Sequence, residues 1–329
     1  YVAKSSGEEP APMGDLLAAI HHHGGHLHGE QHIVTYRNNL NKLLLTPFQP
    51  RDDWEIGVER RTIGGKACVV LHVRETSRKQ AEEANRDEQQ QRFCYWGYKF
   101  EDLCTTSHKS SSESCSGTSC ASHSNGTAAV LPAGPVDANC EFCCVLRLGL
   151  DRLRILMGAE MDCEVVESDE KPSYYIELKT NKLLRQPRER NTFERFKLLK
   201  FWLQSYLAGV RRIYVGFRDQ HGVVHQAETL ETLQIPRMVR GKGMWDPSVS
   251  LNFGKQALEW LIEQVEARAG TAGGSDGQGE ERADGGGGGD RGEIMILRYD
   301  PSTRELLLFS ESRGAATAIA GSKRGRGDV

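Results

Sequence analysis

The segment Gly158-Ala-Glu160-Met-Asp162-Cys163, followed by Tyr175-Ile-Glu177-Leu-Lys179-Thr180, decides how the chain is read. Residues 154–165 and 174–180 have strand composition, and the polar stretch containing Ser168, Asp169, Lys171 and Pro172 between them predicts a hairpin. Side chains alternate across a strand, so Glu160 and Asp162 are expected on one face, as are Glu177 and Lys179. Met161, Ile176 and Leu178 then turn to the other face. Three carboxylates gathered on one strand pair repel one another, and nothing in folding alone offsets that. A divalent cation would, and oxygen ligands of this kind suit Mg²⁺ or Mn²⁺ rather than zinc. An E-x-D or E-x-K motif alone is an ordinary solvated edge. Two on neighbouring predicted strands, backed by apolar faces, point to a metal site.

Working outward, Asn191 or Thr192 caps a predicted helix that runs to Leu207, with Phe193, Phe196, Leu199, Leu203 and Leu207 on one face. Residues 212–218 return to strand alternation. Residues 93–104, 139–150 and 251–267 read as helices, and 293–299 with 305–309 as a terminal hairpin. The order describes one α/β domain. Three stretches read as loops: the His-rich tract 21–32, the Ser/Thr/Cys-rich insert 105–128 and the Gly-rich linker 269–292. The inserts are expected to be dispensable for chemistry. The chain thus divides into a low-complexity segment 1–31, a folded domain 32–310 and a basic flexible tail 311–329.

With 329 residues, 38% of them hydrophobic, the chain can bury a sizeable core. A net charge of −3 excludes binding of nucleic acid through a global positive field. Charge is local instead: residues 179–242 hold 14 Lys/Arg against 5 Asp/Glu, including Arg185, Arg188, Arg190, Arg195, Lys197, Lys200, Arg211, Arg212 and Arg218. That segment is a candidate phosphate-facing surface, with a solvated helix face as the plain alternative. Nine cysteines, an odd number without scaffold spacing, fit a reducing compartment. Cys115, Cys120, Cys140 and Cys143 loosely resemble a zinc site, but Cys140, Cys143 and Cys144 read as positions of an apolar helix. No apolar run approaches the roughly 18 residues that cross a bilayer, so no membrane partner is expected. No signal-peptide pattern is present either; the first residue is Tyr1, which leaves open a targeting signal upstream.

E-x-D, then E-x-K, then helix, then strand resembles the catalytic core of the PD-(D/E)XK nucleases. More narrowly, eight motifs resemble, in order, those of the DXO family of decapping exoribonucleases. They are Tyr36-Arg37 with Lys42 to Phe48, Gly97 to Glu101, Phe142 to Arg147, Gly158 to Cys163, Ile176 to Thr180, Lys197 to Ser205, Gly216 to Arg218, and Trp245 to Ser248. Together they span roughly residues 32–310. The resemblance implies an α/β fold with a mixed central β-sheet flanked by helices, as a single catalytic domain. It implies action on RNA 5′ ends: removal of incomplete, nonstandard or NAD caps, pyrophosphate release from 5′-triphosphate RNA, and 5′ to 3′ degradation of monophosphorylated RNA. A nuclear location is implied, with presence in the cytoplasm as well left open.

Carried over motif by motif, the resemblance makes Glu101, Glu160, Asp162 and Glu177, with the Leu178 carbonyl, ligands of Mg²⁺ or Mn²⁺, two ions being expected. Lys179 and Gln204 would orient the water and the scissile phosphate. Glu160 would also meet substrate. Arg37, with Tyr36 and Asn38, would meet the RNA 5′ end, Cys143 would line the nucleotide pocket, and Arg218 would complete a basic wall. The residues support this unevenly. Arg37 is equally a structural salt-bridge partner. Glu101 sits on a predicted amphipathic helix with Phe93, Trp96, Gly97 and Phe100 buried, and Gln204, on an apolar helix face, needs a partner. Two other functions stay open: a non-catalytic partner that stabilises a separate processive 5′ to 3′ exoribonuclease, and a DNA nuclease of the same fold. Trp202, Tyr206, Phe217 and Trp245 could stack on bases of either nucleic acid, though each is more simply a core residue.

Overall fold

The computed structural model describes residues 1–2, 13–22, 31–105, 135–168, 170–272 and 294–310. Its first half comprises α1 (Gly14–His22), β1 (Ile33–Tyr36), α2 (Arg37–Leu45), the hairpin β2 (Trp54–Ile63) and β3 (Lys66–Arg74), then α3 (Ser77–Ala84) and α4 (Glu88–Cys104). The second half holds β4 (Cys143–Leu150), β5 (Leu153–Glu160), β6 (Cys163–Val165), β7 (Tyr174–Lys182), α5 (Pro187–Thr192), a π turn (Phe193–Lys197) and α6 (Leu198–Leu207). It ends with β8 (Arg212–Arg218), β9 (Val224–Glu231), α7 (Ile235–Val239), α8 (Pro247–Ala272), β10 (Met295–Asp300) and β11 (Glu305–Ser310).

The strands form two sheets. One has seven strands in the order β11-β10-β2-β3-β1-β5-β4, and the other four in the order β6-β7-β8-β9. Both are mixed: β1 runs parallel to β3 and β5, and β7 parallel to β8, while the remaining pairs are antiparallel. One contiguous core joins them. Ile33, Ile56 and Ile155 of the large sheet pack with Leu40 and Leu44 of α2, Trp202 and Leu203 of α6, Ile213 of β8 and Leu258 of α8. Each such side chain is almost fully buried and contributes about 1.5–3 kcal/mol of transfer free energy. The α/β class expected from the sequence is therefore present, with the strands divided between two sheets.

Several local expectations change. The strand predicted over 154–165 breaks: β5 ends at Glu160, and β6 begins at Cys163 in the other sheet. At the break Met161 is buried and its N–H donates to the Phe142 carbonyl at 2.9 Å, while Asp162 turns to β7. Only β6 and the start of β7 make the predicted hairpin. Residues 143–150 are an edge strand rather than a helix; Cys143, Val145, Arg147 and Gly149 are exposed while Cys144, Leu146, Leu148 and Leu150 are partly buried. That is period two; Cys143 and Cys144 are strand positions, and Cys140 lies in the segment before the strand. The helix expected to be capped at Asn191 or Thr192 starts earlier, at Pro187, and the Thr192 hydroxyl donates to the Arg188 carbonyl from within it. The π turn then shifts the register, so that Phe193 is buried but Phe196 is exposed.

On α4 only Phe100 is buried; Trp96 is partly covered and Phe93 exposed. The segment 1–31 contains α1, whose Leu16 and Ile20 pack with Met13 against Val34, Val70 and Leu156. The helix expected over 251–267 extends over Pro247–Ala272, and the terminal hairpin is as expected. Trp202, Phe217 and Trp245 are core residues and Tyr206 is exposed, so three of the four candidate stacking rings are committed to packing. Residues 23–30 of the His tract, most of the 105–128 insert, Cys115 and Cys120, the greater part of the 269–292 linker and the 311–329 tail lie outside the described residues.

Candidate active site

The site lies where the two sheets meet. Glu160 ends β5, Asp162 stands in the two-residue crossing, and Glu177, Leu178 and Lys179 come from β7. Lys179 and Glu177 share a face as the alternation requires: Lys179 Nζ lies 2.7 Å from Glu177 Oε1 and 3.0 Å from Asp162 Oδ2. The second Asp162 contact is the Leu178 N–H, which donates to Oδ2 at 2.8 Å and fixes the crossing against β7. Burial opposes the charge on Lys179, but Glu177 and Asp162 together hold its pKa above the ordinary lysine value. The ammonium therefore stays charged across the physiological range.

Glu177 is fully buried, where an unpaired carboxylate would be costly. Besides Lys179 it accepts from Arg37 Nη1 at 3.2 Å and from the Gln204 side-chain amide. Gln204 thus has the partner its place on α6 demanded. Arg37, the first residue of α2, is itself buried and also donates to the Glu160 carbonyl at 2.9 Å and the Gln204 carbonyl at 3.4 Å. It ties β5, β7 and α6 together, so the salt-bridge alternative is the one the structure shows. Its neighbours Tyr36, partly buried at the end of β1, and Asn38, exposed, flank it.

Glu101 arrives from α4, which packs on β7 and whose Phe100 stacks on Tyr214 of β8. Its carboxyl is pushed up to about 7, first by burial and then by the negative charge of Asp162, with Glu160 and Glu177 adding and Lys179 opposing. Glu101 thus feels the negative charge of the other three acids. Cys143 opens β4 opposite Glu160 in register and is exposed at the rim. Arg218 does not face the acids through an ion pair: its guanidinium stacks over Trp96 at 4.4 Å and Phe93 at 4.8 Å of α4. The basic segment divides likewise. Arg212, at the opposite end of β8 from Arg218, pairs with Glu231 and so belongs to a different surface.

Hard oxygen donors, with Glu101 raised by burial first and by the neighbouring carboxylates after it, fit a divalent cation in chemistry. Among the described residues, however, no three His, Cys, Asp or Glu side chains converge to ligand distance as they stand. Arg37, Lys179 and Gln204 hold Glu177 instead, Arg37 on one carboxylate oxygen and the other two on its partner oxygen. Sequence reasoning missed Arg37 as the clamp of Glu177. The Arg-Asn-Asn run that opens α2 carried no signal of what it meets 140 residues away.

The profile of the RAI1 like PD-(D/E)XK nuclease family matches residues 2–283. The chain is 36% identical over 246 residues to the decapping nuclease RAI1 of Aspergillus fumigatus, covering 72% of this chain and 63% of that protein. It is 33% identical over 250 residues to the human decapping and exoribonuclease protein, covering 73% and 58% respectively. The chain therefore spans about three fifths of the length of these curated relatives. S. pombe Rai1 solved with 3′-FADP superposes with a TM-score of 0.63 at 24% identity, covering 92% of this chain and 78% of that one. Candida albicans Rai1, solved with pU5 and Mn²⁺, gives 0.65 at 21% identity, covering 91% and 74%. At these identities the solved structures establish the fold. With the family profile spanning most of the chain and these sequence identities, the chain belongs to the RAI1-like PD-(D/E)XK nuclease family.

Proposed function

We propose that the protein is a metal-dependent hydrolase of RNA 5′ ends. In this reading it removes incomplete, nonstandard or NAD caps, releases pyrophosphate from 5′-triphosphate RNA and degrades 5′-monophosphate RNA in the 5′ to 3′ direction. The observation that carries it is the junction at which Lys179 bridges Asp162 and Glu177 while Gln204 holds Glu177 from α6. Family membership supports it, as do relatives named as decapping nucleases and neighbours solved with 3′-FADP or with pU5 and Mn²⁺.

Glu101, Glu160, Asp162 and Glu177, with the Leu178 carbonyl, would hold Mg²⁺ or Mn²⁺, two ions being the expected number. When bound, such ions neutralise phosphate charge and lower the pKa of an attacking water. The chain supplies the rest. Lys179, kept protonated by two carboxylates, can donate to a non-bridging phosphate oxygen as negative charge grows there. Gln204 offers an amide that can orient the water or the phosphate once Glu177 moves. A partnership with a processive 5′ to 3′ exoribonuclease belongs to the same family-based reading.

The experiment is direct. Purified protein with Mg²⁺ or Mn²⁺ is given RNAs bearing monophosphate, triphosphate, unmethylated-cap or NAD ends, and matching DNA. Release of the 5′ moiety or shortening from the 5′ end of RNA supports the reading; activity on DNA alone replaces it with a DNA nuclease of the same fold, and no activity on any end leaves the non-catalytic partner.

A further inference from the structure

Beside the acids, on the far side of Gln204, lies a cavity of about 280 Å³ between α2, α6 and the start of α3. That volume is just under the range of about 300–1,000 Å³ typical of small-molecule sites, enough for one nucleotide unit and too little for a base pair with its backbone. Its walls are mixed, with Leu45 and Trp54 beside polar groups that include the acids Asp52 and Glu75. Asn38 and Asn41 from α2 and Gln49 and Gln204 from the adjoining elements present amides, each carrying both a donor and an acceptor. One of these acceptors, Asn41 Oδ1, is buried without a hydrogen-bond partner among the described residues.

The cations of the cavity are not equivalent. Lys42 donates to the Arg74 carbonyl at 2.6 Å and pairs with Glu75 at 2.7 Å, and the same Glu75 lies 4.0 Å from Lys79. Lys200 makes no ion pair among the described residues and is exposed, one helical turn before Gln204 on the same face of α6. It is the cation available to a phosphate. Lys197 lies within electrostatic reach of Lys200, Lys182 and Arg218, so Lys200 belongs to a group of cations.

We infer that this cavity is a subsite for one nucleotide of a single strand, its phosphate met by Lys200 and its base edge by the amides of Asn38 and Asn41. The inference rests on the RNA 5′-end reading above and adds to it the place and the residues. An amide carries both a donor and an acceptor and can satisfy any base edge, so the subsite tolerates sequence, and its size admits only an unpaired strand.

The test is binding of 5′-phosphorylated pentauridylate, labelled with fluorescein at its 3′ end, followed by anisotropy in EDTA so that no turnover intrudes. Lys200→Ala is expected to weaken binding about tenfold, the loss of one charge-assisted contact, and to lower the log–log salt slope by about 0.7. Gln49→Trp, which fills the mouth from a partly exposed position, is expected to weaken binding as much without changing the slope. Lys66→Ala, at the exposed start of β3, controls for general charge and should bind as wild type. Tm measured for each variant establishes folding. Wild-type binding by Gln49→Trp, a Lys200→Ala effect no larger than that of Lys66→Ala, or failure of the wild type to bind the probe overturns the subsite. A wild type that binds in the expected pattern yet processes no RNA end with Mn²⁺ leaves the subsite standing and removes the proposed function.

Discussion

Arg37 Nη1 meets Glu177 Oε2 at 3.2 Å with both side chains buried, so the first residue of α2 clamps a central acid of β7. The same guanidinium holds the end of β5 through the Glu160 carbonyl. Arg37 is thereby a structural tie of the site, whatever it later contributes to a substrate.

Arg37→Ala is accordingly expected to destabilise the protein by about 3 kcal/mol, because removing one partner strands a buried charge. Arg37→Lys keeps the charge and should cost less. Urea denaturation measures both; an Arg37→Ala protein with unchanged midpoint would show that Lys179 and Gln204 suffice to hold Glu177.

Gly216 of β8 lies under α4, where an added Cβ would stand 2.6 Å from Phe100 Cε2. Gly216→Ala must displace the ring, and with it the neighbouring Glu101. The expected result is a loss of about 1–3 kcal/mol in stability together with a fall in kcat, since overpacking moves the helix that carries an acid. Phe100→Leu in the same chain should restore part of both; restoration of neither would disconnect the packing from the site.

Glu101 gives the metal-free protein a pH signature. Its carboxyl is raised from 4.5 to about 7, by burial first and then by Asp162. Below 4.5 the folded and unfolded chains both carry this proton, and above about 7 neither does. Between those values the folded chain binds the additional proton, so stability should decline as pH rises through the window. Glu101→Gln should flatten that decline, and Mn²⁺ binding near pH 6 should release a proton that calorimetry in buffers of different ionisation enthalpy detects. An unchanged profile in Glu101→Gln would assign the slope elsewhere.

Glu160→Gln should abolish hydrolysis while leaving the fold intact, since the amide is nearly isosteric yet loses the negative charge that would hold a cation. Asp162→Asn should abolish hydrolysis too, but with a lower Tm, because Asp162 accepts from both Leu178 and Lys179. Equal Tm losses in the two variants would contradict this division of labour.

The parts of the site built by local alternation were legible in the sequence. Glu177 and Lys179 share a face because strand geometry leaves no other choice, and Gln204 on an apolar helix had to have a partner. What failed depended on distant contacts. The Phe142-Cys-Cys-Val-Leu run hides its period of two behind paired apolar residues, so an edge strand read as a helix. The π turn that rotates Phe196 outward adds a residue to the helical repeat without any proline or glycine to mark it. Nor does anything local in Met161-Asp162 announce a crossing between sheets; that is set by the Leu178 N–H and Lys179, which claim the Asp162 carboxylate from the next strand. Arg37 offered a cation and no sign of whether phosphate or carboxylate would meet it.

The most direct test of the central claim compares one RNA sequence in two forms, linear with a 5′ monophosphate and covalently closed, each incubated with the protein and Mn²⁺. An enzyme that works from 5′ ends through Glu160, Asp162, Glu177 and Lys179 shortens the linear RNA and leaves the circle intact, and its Glu160→Gln variant cuts neither. Equal cleavage of circle and line would contradict 5′-end processing and leave only a metal-dependent endonuclease; wild-type turnover by Glu160→Gln would remove the assigned acids as well.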